Sequence, residues 1–220
     1  MGAIDVVYVA LVGLTILSFC LNRRYNLKHW KLIVCYLALI AATALTAFGT
    51  TMILKVENNL FIFHIFTPLD YSIIAFLYAT VFESQKIKRA VIISIPLFTS
   101  VCITLALTIQ PVTANNSVAV VIESALVIFW SVLFIHETIM DQKVDVLARY
   151  PMFWISVGFL FYFVGDHLIE GLLNVMMEQS MEVARAVYRL MYVLRYCLMA
   201  LLLVGCFCER LFRGRVREVV

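Results

Sequence analysis

Eight ionisable side chains interrupt otherwise apolar stretches of this sequence: His64, Asp70, Glu123, Asp166, His167, Glu170, Arg189 and Arg195. A charge at mid-bilayer costs roughly 2.5–3.5 kcal/mol on insertion scales, so such residues face protein or water. Carboxylates can hold a cation or a proton. Arginine can grip a carboxylate through two parallel hydrogen bonds, and histidine can carry a proton or ligate a metal. Spacing groups these residues: Asp166 and Glu170 are four apart and His167 and Glu170 three apart, so they share a helical face. Tyr188, Tyr192 and Arg195 form one stripe, with Arg189 beside it. His64 and Tyr71 are seven apart, while Asp70 points well away from His64, and Pro68 between them frees a backbone carbonyl one turn earlier. Four carboxylates face two arginines, a surplus of two negatives with the histidines neutral. That surplus must be protonated, meet a cation or face water. The spacing predicts a ligand-binding set of His64, Asp70, Glu123, Asp166, His167, Glu170, Arg189, Tyr192 and Arg195. A structural ion pair is expected within it, Arg195 with Asp166 or Asp70.

Several chemistries are excluded by what is missing. A retinal Schiff base needs a lysine in the membrane interior. The lysines are Lys28, Lys31, Lys55, Lys86, Lys88 and Lys143, none of them in the last two apolar stretches. No P-loop, kinase signature, HExxH or GxSxG occurs. A haem would need His64 and His167 at one depth and facing each other. Zinc could draw on the carboxylate–histidine cluster, but no paired helical ligand motif is present and the arginines would repel a cation. No metal and no cofactor are expected.

The elements that must position these residues follow from composition. Of 220 residues, 64% are hydrophobic and 14% charged, against about 45–50% and about 25% in soluble domains. Mean hydropathy is +0.98. A chain of this size cannot hide that excess in a soluble core, which rules out a soluble enzyme, a disordered chain and a disulfide-stapled secreted domain. Apolar runs at 3–21, 31–54, 60–82, 90–109, 118–139, 152–176 and 186–208 are each long enough to cross a bilayer as a helix. None shows the alternation of a membrane β-strand. The reading is an all-α, single-domain, seven-helix transmembrane bundle over residues 1–220.

Basic residues set the expected orientation. Arg23, Arg24, Lys28 and Lys31, then Lys86, Lys88 and Arg89, then Lys143 and Arg149, then Arg210, Arg213, Arg215 and Arg217 mark the odd connections and the tail. The even connections hold only Lys55 and Arg185. The positive-inside rule puts the N-terminus outside and the C-terminus in the cytoplasm. The ionisable cluster then lies in the outer half of the bilayer. The net charge of +3 reflects topology, and no nucleic-acid partner is expected. The first run lacks a basic segment before it, which fits an N-out helix rather than a cleaved signal. Six cysteines without CxxC spacing read as packing residues, and Asn115-Asn116-Ser117 as a chance match to a glycosylation acceptor. Trp30, Trp130 and Trp154 read as belt or packing residues, Pro96 as a kink, and His136, Glu137 and Asp141 as an interfacial rim. The third and seventh runs align at an offset of 125, with Leu69 on Leu194, Asp70 on Arg195 and Tyr71 on Tyr196. Such 3+1+3 repeats occur in some transporters.

The stretches from Asn58 to Tyr71 (NNLFIFHIFTPLDY), from Pro151 to Gly158 (PMFWISVG) and from Phe161 to Phe163 (FYF) resemble small seven-helix membrane proteins common in Bacteroidota. Similar helices also resemble the sensor regions of some bacterial signalling proteins. Asp166, His167 and the two arginines stand outside that pattern. The resemblance implies a fold and a lineage, not a reaction; a multi-pass place in the bacterial inner membrane is expected. The resulting expectation is a receptor-like sensor or ligand-binding module with an outward-facing pocket. It would touch membrane lipids, take a small ligand or ion, and signal through a cytoplasmic or membrane protein. The alternatives are a small-solute or ion transporter or channel, and a membrane-embedded lipid hydrolase.

Overall fold

A computed structural model describes residues 3–22, 29–55, 58–140, 147–179 and 181–212. Seven α-helices follow in chain order: α1 (Ala3–Leu21), α2 (Trp30–Met52), α3 (Phe61–Val81), α4 (Gln85–Thr108), α5 (Ser117–Met140), α6 (Pro151–Gln179) and α7 (Met181–Leu211). A single 3-10 turn, Leu147–Arg149, precedes α6. Six of the helices are long and apolar enough to cross a membrane, and α1 adds a further apolar helix. The chain is a multi-pass membrane bundle.

The helices pack in a ring, α1 against α2, then α3, α5, α6 and α7, which returns to α1. α4 lies outside this ring against α3 and α5. The pattern of small and apolar residues explains these seams. On α1, Tyr8, Val12, Thr15 and Phe19 are buried at spacings of four, three and four, a single stripe facing the bundle. α4 buries only Val91, Phe98 and Cys102, which fits its outside position. On α6, Gly158 and Gly165 are seven apart and let α7 approach closely: a Cβ on Gly158 would stand 3.2 Å from Leu201 Cβ. Small residues serve this purpose where lipid supplies no hydrophobic drive between helices. Leu14, Leu45, Ile65, Leu97, Leu107, Phe129, Phe161 and Leu168 are all exposed. Apolar surface of that extent requires a lipid solvent.

Two boundaries differ from the hydropathy reading. α4 begins at Gln85, so Lys86, Lys88 and Arg89 lie on its first turns instead of in a loop. Lysine and arginine are good helix formers and reach the headgroups from a helix end. α6 and α7 run on through 176–179 and 181–185, where Met, Glu, Gln and Ala favour helix. At 29 and 31 residues they reach about 44 and 46 Å, beyond the roughly 30 Å hydrocarbon layer.

At the end of the bundle where α3 and α5 finish, the core is aromatic. Tyr78, Phe82, Phe134 and Phe159 are buried and meet edge-on or tilted at 5.9–6.4 Å. The Tyr78 hydroxyl joins three helices, meeting Ser131 Oγ on α5 at 2.8 Å and Ser156 Oγ on α6 at 3.1 Å. Tyr78→Phe is expected to cost about 1 kcal/mol, the usual size of an interhelical hydrogen bond in a membrane. A melt of the purified protein would register this as a small fall in Tm.

Candidate functional site

The opposite end of the ring encloses a cavity of about 450 Å³, within the usual size range of small-molecule pockets. Every ring helix lines it, as do the α2–α3 and α4–α5 connections, and no residue of α4 does. α2 contributes a long helical stripe, Tyr36, Ile40, Thr43, Ala44, Ala47, Phe48 and Thr51. Those 15 residues of advance span about 22 Å of the helix axis, so the lining reaches well down α2.

Four carboxyl side chains line it: Asp70 on α3, Glu123 on α5, and Asp166 and Glu170 on α6. All are buried, at 4%, 3%, 4% and 8% exposure. Their positions reflect spacing: Asp166 and Glu170 sit one turn apart and turn to the same face. Asp166 Oδ2 accepts from Ser124 Oγ at 3.0 Å, and Glu170 Oε2 accepts from Asn115 Nδ2 at 3.3 Å. Arg195 on α7 is the cation of this side. Its charge acts on both Asp166 and Glu170, and it reaches the Tyr162 hydroxyl. The guanidinium also stands over the rings of Tyr8 at 5.7 Å and Tyr192 at 5.6 Å, a cation–π arrangement.

The α3–α5 side is different. Asp70 lies within electrostatic reach of Asp166, and Glu123 of both of them. Asp70 Oδ1 and Glu123 Oε1 are fully buried without a hydrogen-bond partner, although the Tyr71 backbone acts on the Glu123 carboxyl. Such orphaned acceptors are uncommon in native interiors and call for an explanation.

Three members of the predicted set do not line the cavity. His64 Nε2–H donates to the Ala114 carbonyl at 3.0 Å, and His167 Nδ1–H to the Val121 carbonyl at 3.1 Å. Arg189 is exposed. Helix rotation explains each. His64 lies six residues before Asp70 and Arg189 six before Arg195, which turns each about 120° from its neighbour, and His167 is about 100° from Asp166. Asp70, Glu123, Asp166, Glu170, Tyr192 and Arg195 do come together. Among the described residues no group of three His, Cys, Asp or Glu side chains could hold a metal ion.

Sequence reasoning missed the walls from α1 and α2, among them Tyr8, Tyr36 and Thr43. A tyrosine inside an apolar span is a weak signal, because it also fits a packed core. It missed Asn115 and Asn116 as well. Asn116 is buried, and its Nδ2 donates to the Phe63 carbonyl at 3.1 Å and to Thr67 Oγ1 at 2.8 Å. This fastens the α4–α5 connection to α3 beside Pro68. Just below, the Trp130 indole donates to the Tyr71 hydroxyl at 3.1 Å, which meets Ser94 Oγ at 2.6 Å. Because Ser94 in turn donates to the Val91 carbonyl, the Tyr71 proton points at Ser94. The neighbour of Asp70 is thereby tied to α4 and α5. No family model matches the chain, and no curated protein or solved structure matches it either.

Proposed function

We propose that this chain is the ligand-binding module of a membrane sensor, with its cavity facing the outside and its C-terminus in the cytoplasm. The observation that carries this reading is a cavity that gathers six helices at one end of the bundle and is followed by a packed aromatic floor. A transporter or channel needs a polar path through both halves, whereas Tyr78, Phe82, Phe134 and Phe159 pack the end of the bundle beyond the cavity. The basic residues of the odd connections support the orientation. The resemblance to small bacterial seven-helix proteins supports the inner membrane.

A ligand that draws α3, α6 and α7 together would shift helices whose far ends are also joined. There Arg149 Nε donates to the Phe212 carbonyl at 3.0 Å, and the Trp154 ring stacks on Phe212 at 5.9 Å. That end is where a partner protein would read the change.

The test is thermal stability of the detergent-solubilised protein against a panel of ions, lipids and metabolites, with Asp166→Asn and Arg195→Gln alongside. The expected result is a compound that raises the wild-type Tm and does nothing to variants that stay folded. No shift with any compound, together with unfolding of both variants, would assign the buried charges to helix adhesion instead. Accumulation of the stabilising compound inside sealed proteoliposomes would replace the sensor with a transporter.

A further inference from the structure

We infer that the Asp70–Glu123 side of the cavity takes the ammonium group of a primary amine with an apolar body; this rests on the cavity being a ligand site. The first ground is the pair of orphaned oxygens, Asp70 Oδ1 and Glu123 Oε1, each fully buried on a carboxyl whose residue lines the cavity, where a turn of the carboxyl would present it to a ligand. A carboxylate accepts hydrogen bonds only, and an ammonium offers three donors and a positive charge. The second ground is charge. Arg195 acts on Asp166 and Glu170, whereas the charged groups acting on Asp70 and Glu123 are further carboxyls, with the neutral hydroxyls of Tyr8, Tyr36 and Tyr71 and the Cys102 thiol also near them. The third is shape. The two carboxyls lie well down their helices, nine residues from the start of α3 and six from that of α5. Above them the wall is mixed, an apolar strip of Ala44, Ala47, Phe48, Phe63 and Phe66 beside Thr43, Thr51, Asn59 and Thr67. An amine head would seat below and its hydrocarbon would lie along α2. A metal ion fits worse, because the described side chains form no three-ligand cluster. A quaternary ammonium would bring charge but no N–H donor to the orphaned oxygens.

The experiment uses the full chain in detergent and phenethylammonium chloride as the probe, read by calorimetry and thermal shift. Its trimethylated quaternary analogue and 2-phenylethanol are the controls. The expected result is saturable binding of the primary amine, weaker by about tenfold or more for the quaternary analogue and the alcohol. Asp70→Asn and Glu123→Gln should each weaken it by a similar factor, and Asp70→Glu should retain it, which separates lost recognition from lost folding. Equal binding of the three compounds, or full affinity in both folded amide variants, would overturn the proposal, as would no binding of the amine. Ala44→Trp, which fills the space above the carboxyls, separates this failure from that of the site itself. If the alcohol binds wild type and Ala44→Trp blocks it, the cavity remains a ligand site without amine selectivity. If no compound binds and Ala44→Trp leaves the panel response unchanged, both readings fall.

Discussion

Gly205→Leu is expected to lower Tm by roughly 10 °C. A Cβ at this position would lie 3.1 Å from the Pro151 carbonyl oxygen, 3.3 Å from Ile155 Cγ1 and 3.5 Å from Trp154 Cβ. The nearest atom belongs to backbone at the start of α6, so it cannot swing aside as a side-chain tip would. A leucine must therefore push α7 away from α6 along the longest seam of the bundle. Overpacking costs about 1–3 kcal/mol in ordinary cores, and the rigid neighbour puts this site at the upper end. For a chain of this size that is about 2–4 °C per kcal/mol. Two comparisons isolate the cause. At Gly165 the Cβ would meet the Leu194 side chain, whose methyl groups can rotate away, so Gly165→Ala should cost less. At Gly13 nothing lies within 4 Å, so Gly13→Ala should be neutral or slightly stabilising, since alanine is the better helix former. Melts followed by size exclusion after heating would check the order. If Gly205→Leu matched Gly13→Ala, the close α6–α7 contact would not exist.

This seam also shows why some features could be read from sequence and others could not. Hydropathy finds helices because a span must satisfy its backbone internally and present about 20 apolar residues to lipid. α1 was accordingly legible at Ala3–Leu21, and α2, α3 and α5 to within a residue or two of their ends. Hydropathy stops at the membrane surface, so the polar ends of α6 and α7 look like a connection although their residues favour helix. The site was legible in part for the same reason. Asp70, Glu123, Asp166, Glu170 and Arg195 stand out because charge is rare in lipid. Depth alone does not say which way a residue faces. His64, His167 and Arg189 share the depth but not the direction, and only the packing order of the helices separates them. The α2 wall gave no signal at all: Ala44 and Ala47 look like any other small residues in a span. Their role appears only when α2 stands opposite α6 and α7 across the ring.

Arg195→Leu is expected to destabilise the bundle by about 3 kcal/mol, and adding Asp166→Asn is expected to return part of that loss. Removing one partner of a buried charge constellation leaves the other uncompensated, which costs about 3–5 kcal/mol in fully buried cases. Arg195 is only half-buried, so the lower end applies. Without it, Asp166 and Glu170 face each other and the carboxyls across the cavity with no cation from α7. Neutralising Asp166 removes one of those charges, and an asparagine oxygen can still accept from Ser124 Oγ. The double variant should therefore melt above Arg195→Leu alone, a coupling of about 1–3 kcal/mol between adjacent groups. Strict additivity would mean that Arg195 acts through the rings of Tyr8 and Tyr192 and not through the carboxylates. Arg195→Lys distinguishes these roles further: it keeps the charge but loses the planar fork that stacks between two tyrosines. If the lysine variant is as stable as wild type while the leucine variant is not, charge is what α7 contributes. The α6–α7 side of the cavity is then balanced by the protein itself, and the unmet demand for a cation lies on the side of Asp70 and Glu123.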